Sequence, residues 1–251
     1  MSGYLPDDTM RAVGDSSAMI VASGLGRRYG RRWALIDVSF EQPNGSVWLV
    51  AGANGSGKST LLRLLASAIR IDRGNAAIDG IDVGADPFGV RSRLSLLSHS
   101  AYTYEALTAM EHLRIFAQLL RKSVERTSLR TLLERVGLQD RGDDPVSGFS
   151  AGMRKRLSLA RVLLQDAPVV LLDEPYGQLD PAGLSFMDGL IASLRVAGRT
   201  VLVVSHQIER ISRLADHALV LEQGRVVYSG PPRGLSDLAV LRGSESGTSW
   251  S

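Results

Sequence analysis

The segment Gly52-Ala53-Asn54-Gly55-Ser56-Gly57-Lys58-Ser59 constrains this chain more than any other. It fits G-x-x-x-x-G-K-[ST], and the apolar run Ser46–Ala51 feeds it. Leucines at 61, 62, 64 and 65 predict a helix over Ser59–Ile69. A strand that turns through such a loop into a helix makes a cradle for phosphate. Its glycines let the backbone wrap closely and point N–H groups inward. The helix beginning near Ser59 and Thr60 adds the positive end of its dipole. Lys58 is suited to the β- and γ-phosphates of a nucleotide, and the Ser59 hydroxyl to Mg2+. A chance glycine-rich loop is the competing reading, and the strand–loop–helix setting weighs against it.

A second chemical signal lies downstream. The run Val169–Leu172 ends in Asp173-Glu174-Pro175. A strand this apolar belongs at the centre of a sheet. Ligands of open α/β sheets bind at the carboxyl ends of strands, where these acids emerge. Asp173 is expected to hold Mg2+ through water, and Glu174 to polarise an attacking water. Acids at strand ends are also ordinary helix caps; the phosphate loop upstream favours the catalytic reading.

The rest of the chain alternates between the two periodicities. Helices are expected over Glu105–Val136, Arg154–Leu164, Ala182–Val196 and Glu209–Ala215. A short strand pair or hairpin edge is expected over Ala76–Val83 and strands over Thr200–Ser205 and Ala218–Glu222, with a turn at Asp72–Gly74. This order predicts an α/β fold with a mainly parallel sheet and helices on both faces.

Composition narrows the function. With 29 basic and 26 acidic residues, the net charge of +3 does not indicate a nucleic-acid binder. The absence of cysteine excludes disulfides, thiol catalysis and cysteine metal sites. No apolar run approaches the ~20 residues of a membrane-spanning helix. Met1–Met19 carries Asp7, Asp8 and Asp15 and lacks the apolar stretch of a secretory signal. The expectation is a cytoplasmic protein that reaches a membrane only through a partner. Residues 1–17 are expected to be a flexible lead, 18–242 the ordered domain, and the Ser/Gly-rich 243–251 a disordered tail.

Between the two chemical motifs lies Phe149-Ser150-Ala151-Gly152-Met153-Arg154-Lys155-Arg156. It resembles the signature loop of ABC ATPases, usually LSGGQ, with Phe for Leu, Ala for the first Gly and Met for Gln. The spacing from Ser150 to Asp173, and a following helix that ends in Ser158–Leu164, suit that family. Alone, Ser150 would be a plain helix cap. The resemblance implies instead that Ser150, Gly152 and Met153 face the ATP of a second cassette. Gly177-Gln178-Leu179-Asp180 resembles the loop that touches the opposite cassette. His206 resembles the switch histidine beside the γ-phosphate, and Tyr29 the aromatic that stacks on adenine. The resemblance runs from Ala18 to Gly230. It implies a RecA-like P-loop core, a small antiparallel β-subdomain near the N-terminus and a helical subdomain around residues 100–160. It also implies ATP and Mg2+ as cofactors, a homodimer of cassettes during turnover, and a separate transmembrane permease holding the chain on the inner face of the membrane.

One departure narrows the resemblance. Where the family usually carries a metal-contacting glutamine, ahead of Leu107-Thr108-Ala109-Met110-Glu111-His112-Leu113, this chain has His99. Mg2+ prefers oxygen ligands, so His99 is a poor substitute; it reaches the metal through water or senses the membrane partner. The stretch from Leu97 to Thr108, with Tyr102 and Tyr104, resembles the ATP-binding subunit of the haem exporter of cytochrome c maturation. So do Phe149–Met153 and Asp173–Tyr176. This implies haem-linked export, with Tyr102 and Tyr104 as a surface for the permease. An exporter of drugs, lipids or other small molecules is the alternative. A nucleic-acid-linked ATPase is disfavoured, because no coiled-coil insertion separates the phosphate loop from Ser150.

Overall fold

The structure is a computed structural model that describes residues 18–98 and 104–235. The lead at 1–17 and the tail at 243–251 lie outside the described residues. In chain order the elements are β1 (Ala18–Tyr29), β2 (Arg32–Pro43), β3 (Val47–Ala51), α1 (Lys58–Leu65), β4 (Arg73–Ile78), β5 (Ile81–Asp82), α2 (Pro87–Arg93), β6 (Leu94–Leu97), α3 (Ala109–Leu119), α4 (Arg126–Arg135), α5 (Ala151–Gln165), β7 (Val169–Asp173), α6 (Pro181–Val196), β8 (Thr200–Val204), α7 (Ile208–Ile211), β9 (His217–Glu222) and β10 (Arg225–Gly230).

They build two sheets. An antiparallel sheet has the order β2-β1-β4-β5. The larger sheet has the order β10-β9-β3-β8-β7-β6 and is parallel except for β10. This is the α/β architecture expected, with its antiparallel N-terminal sheet.

The central strands are buried on both faces, and alternate residues enter two different cores. On one face lie Val47, Leu49, Val170, Leu172, Val201, Val203, Ala218 and Val220, packed with Leu113, Leu133, Leu157 and Ile191 from the helices. On the other lie Trp48, Val50, Val169, Leu171, Leu202, Val204, Leu219 and Leu221, packed with α1 and the N-terminal sheet. Burying each valine or leucine among them contributes about 1.5–3 kcal/mol. Period-two alternation therefore decides which core a residue joins, while both positions stay apolar, which is why these strands read as continuous apolar runs.

Several local expectations need correction. The helix expected over Glu105–Val136 is two helices, α3 and α4. The Thr108 hydroxyl accepts from the Glu111 N–H at 3.2 Å, and the Glu111 carboxylate accepts from the Thr108 N–H at 2.9 Å. This reciprocal cap starts α3 at Ala109 and leaves 105–107 outside it. Arg121, at φ 54°, turns the chain after α3. The helix expected over Ser59–Ile69 ends at Leu65, where Ser67 at φ 51° breaks it. Arg73 and Gly74 open β4, because Arg73 pairs with Gly26 of β1. Strands β1, β2, β6 and β10 and helix α2 had no range read from periodicity. In β1 and β2 repeated register shifts interrupt the alternation that would have marked them.

Where α3 packs on α5, His112 is buried and its Nδ1 finds no hydrogen-bond partner among the described residues. Burial, and then the nearby Arg161 charge, push its pKa from 6.5 down to about 4. The unfolded chain thus binds a proton at pH values where the fold refuses it. Stability is expected to fall as pH drops from 6.5 towards about 4. Urea unfolding across that window should show a smaller acid loss in His112→Gln than in the native chain.

Candidate active site

Three neighbouring strands deliver the sequence-predicted residues to one edge. β3 leads into the Gly52–Gly57 loop, β8 beside it into Ser205 and His206, and β7 beyond it into Asp173 and Glu174. All three are parallel, so their carboxyl ends share that edge. The Glu174 N–H extends the ladder, donating to the Val204 carbonyl at 2.9 Å.

The loop is fixed from two sides. The Gly224 N–H donates to the Ser56 carbonyl at 3.0 Å, and the Ile36 N–H to the Gly224 carbonyl at 2.7 Å. Gly57 has φ 111°, and a Cβ there would lie 2.5 Å from the Ala34 carbonyl oxygen. Only glycine allows β2 to run this close beneath the loop. Inside the loop Lys58 is buried, and its Nζ donates to the carbonyls of Gly52 at 2.7 Å and Ala53 at 2.9 Å. Burial lowers its pKa against the opposing pull of Glu174 and Asp173. Asn54 and Gly55 are exposed at the tip, Thr60 is half-buried on α1, and the Ser56 hydroxyl is buried with no hydrogen-bond partner among the described residues. Tyr29 stands at the turn between β1 and β2, 47% exposed, with the Arg27 guanidinium 4.9 Å from its ring centre.

The acid pair meets this loop. The Ser59 hydroxyl donates to Asp173 Oδ1 at 3.2 Å, across more than a hundred residues of sequence. Asp173 is buried, as the end of an apolar strand dictates. Glu174 has φ 50°, a conformation disfavoured for any residue with a Cβ. Its Oε2 accepts from the His206 N–H at 3.2 Å, and its Oε1 lies 3.4 Å from His206 Nε2. That Oε1 is buried and has no hydrogen-bond partner among the described residues.

The remaining predicted residues have local duties. Ser150 caps α5, accepting from the Met153 N–H at 3.2 Å. Gly152 lies in the first turn of α5, and Met153 packs against the core. Asp180 caps α6, accepting from the Gly183 N–H at 2.7 Å. Among the described residues, no hydrogen bond joins Ser150, Gly152 or Asp180 to the Gly52–Ser59 loop. His99 and Tyr102 lie outside the described residues, whereas Tyr104 is 70% exposed. Tyr176 is buried, and its hydroxyl donates to Asp188 at 2.9 Å. Asp188 in turn pairs with Arg210, so this tyrosine ties the turn after β7 to α6 and α7.

One residue had no sequence-level role. Lys155, in the basic triplet 154–156, sends its Nζ to the carbonyls of Glu174 at 2.5 Å and Gly177 at 2.9 Å. Burial pushes its pKa down to about 8, against the raising influence of Glu174 and Asp173. A basic run reads as a solvated face, so nothing in the sequence marked it.

A phosphate-type loop, a strand-end acid pair and a central parallel sheet define an α/β nucleotide-hydrolase class of protein. The family model described as ABC transporter matches residues 35–177. A daunorubicin resistance ATP-binding protein of Streptomyces coeruleorubidus is 36% identical over 219 residues, which cover 86% of this chain and 68% of that protein. The Nod factor export ATP-binding protein I of Ralstonia nicotianae is 32% identical over 222 residues, covering 88% and 69%. The solved ATP-binding subunit of an ABC transporter superimposes with a TM-score of 0.78 at 25% identity, covering 92% of this chain and 95% of that one. The chain belongs to the ABC transporter family, as an ATP-binding and ATP-hydrolysing subunit.

The glycine geometry carries its own test. Gly57→Ala is expected to destabilise the chain by about 1–3 kcal/mol through overpacking against β2. Gly55→Ala, where an added Cβ meets nothing within 4 Å beyond its chain neighbours among the described residues, should cost less. Chemical denaturation of the two variants compares them directly.

Proposed function

We propose that this subunit powers an exporter of drug-like or other small molecules by hydrolysing ATP at the edge shared by β3, β8 and β7. The observation that carries the site is the convergence of Lys58, Ser59, Asp173, Glu174 and His206 from separate strand ends. In this reading the Gly52–Thr60 segment holds the triphosphate through backbone N–H groups and Lys58. Tyr29 stacks on the adenine from the turn above. Glu174 orients the attacking water, and His206 steadies the γ-phosphate while its N–H holds the Glu174 carboxylate.

A metal fits the residues present. Ser59 and Asp173 offer a hydroxyl and a carboxylate within 3.2 Å of each other, the oxygen donors Mg2+ selects. Bound there, Mg2+ would neutralise charge on the β- and γ-phosphate oxygens. Ser150, Gly152, Met153 and Asp180 complete a second copy's site, so two chains close head to tail during turnover. What supports that reading is the likeness of Phe149–Met153 to the signature loop, with Ser150 and Gly152 at the amino end of α5.

Among the described residues no helix is long and apolar enough to cross a membrane. In this reading the chain works on the inner membrane face through a separate permease. The daunorubicin-resistance and Nod-factor relatives support small-molecule export. They lend nothing to the haem-linked export that the 97–108 and 173–176 segments suggested.

Glu174→Gln is expected to keep ATP binding and lose hydrolysis by at least about 10²-fold, the usual contribution of a positioned base. Lys58→Ala should lose nucleotide binding itself. A phosphate-release assay paired with equilibrium nucleotide titration separates the two; normal turnover in the first, or unchanged affinity in the second, removes the assigned role. In vesicles carrying the permease, hydrolysis should rise with daunorubicin and not with haem.

A further inference from the structure

We propose that Lys155 is a positioning residue for hydrolysis, tying the helix behind the Ser150 loop to the backbone that aims Glu174. The proposal rests on the reading above, in which Glu174 orients the attacking water.

The turn after β7 is unusual in having two non-glycine residues, Glu174 at φ 50° and Gln178 at φ 63°, in the left-handed region. Such a turn persists only where its surroundings hold it. Inside it, the Gly177 N–H reaches the Glu174 carbonyl at 3.3 Å, a long and weak closure. Lys155 supplies the stronger hold. One ammonium donates to both carbonyls that bracket the turn, at Glu174 and at Gly177. Charged donors make the stronger hydrogen bonds, and a lysine can supply two at once.

Glu174 is then gripped at two points. Its carboxylate takes the His206 N–H from β8, and its carbonyl takes the Lys155 ammonium from α5. Lys155 touches no reacting atom; it acts through the backbone of the residue that does. It also stands about one and a half turns beyond Ser150, the cap of the same helix. A helix transmits displacement over that distance as a rigid rod. The seat of the Ser150 loop, which in this reading meets the nucleotide of a second copy, is thereby passed to the Glu174 carbonyl of its own chain. Each half of the closed pair would thus set the hydrolytic turn of its own site through the contact it makes with the other.

The test is steady-state ATP hydrolysis by the full-length chain, with Lys155→Met and Lys155→Arg measured beside Glu174→Gln. Lys155→Met is expected to lower kcat on the order of 10²-fold, as small misplacements at a reacting centre do, with KM and nucleotide affinity unchanged. Lys155→Arg, whose guanidinium can still donate to two carbonyls, should recover most of that loss. A merely structural lysine would give a different pattern. The unfolding midpoint of Lys155→Met would fall, and active-site titration would show fewer competent molecules with normal turnover each. That pattern overturns the proposal, as does a kcat near the native value or a KM that rises in step with the fall in kcat, in a series where Glu174→Gln is inert. If Glu174→Gln itself turns over normally, the assignment of Glu174 fails first, and the role of Lys155 falls with it.

Discussion

The site depends on one pairing: β8 inserted between β3 and β7. Val47–Val50 of β3 run in register with Val201–Val204, and Val169–Asp173 of β7 with Thr200–Val204. That register places the end of β7 beside the end of β8, and the end of β8 beside the loop that follows β3. Ser59 and Asp173, far apart in the chain, reach hydrogen-bond distance only because of it. The pairing is held by burial on both faces, since each strand sends alternate residues into two separate cores. A register slip would exchange the two sets and disturb both cores at once.

Electrostatics and strain accumulate at the edge this pairing creates. Two lysines, the buried Lys58 and the half-buried Lys155, lie near two carboxylates, and both have lowered pKa values because desolvation outweighs the nearby negative charge. Each ammonium is satisfied by two backbone carbonyls instead of a direct ion pair. The Asp173 and Glu174 carboxylates thus keep acceptor capacity for other donors. The left-handed Glu174 backbone is held against its own preference by β8 on one side and α5 on the other. Stored strain of this kind is characteristic of sites where geometry matters more than stability.

The N-terminal sheet takes part in the site through backbone, not through charge. β2 passes under Gly57 closely enough that a methyl group would collide with it, and the same strand bonds the Gly224 turn. The loop is therefore wedged between the larger sheet and the smaller one. Tyr29 stands at the end of the same β1–β2 hairpin.

Sequence alone determined the parts whose physics is local. The glycine spacing, the lysine and serine after it, the apolar strands and the acids ending one of them each state their chemistry within a few residues. The capping pair Thr108 and Glu111 was equally local, although its power to end the preceding coil became visible only as geometry. Two residues show the limit of short motifs. Tyr176 suggested a subfamily by its neighbours, yet its buried hydroxyl serves Asp188 and the packing of α6 and α7. Lys155 had no role assigned from the sequence, yet it serves a turn beyond the next strand. Only the tertiary structure decided these, together with the strand order and the close approach of β2 to the loop. Their partners are remote in the chain, and no periodicity records which distant carbonyl a buried side chain will meet.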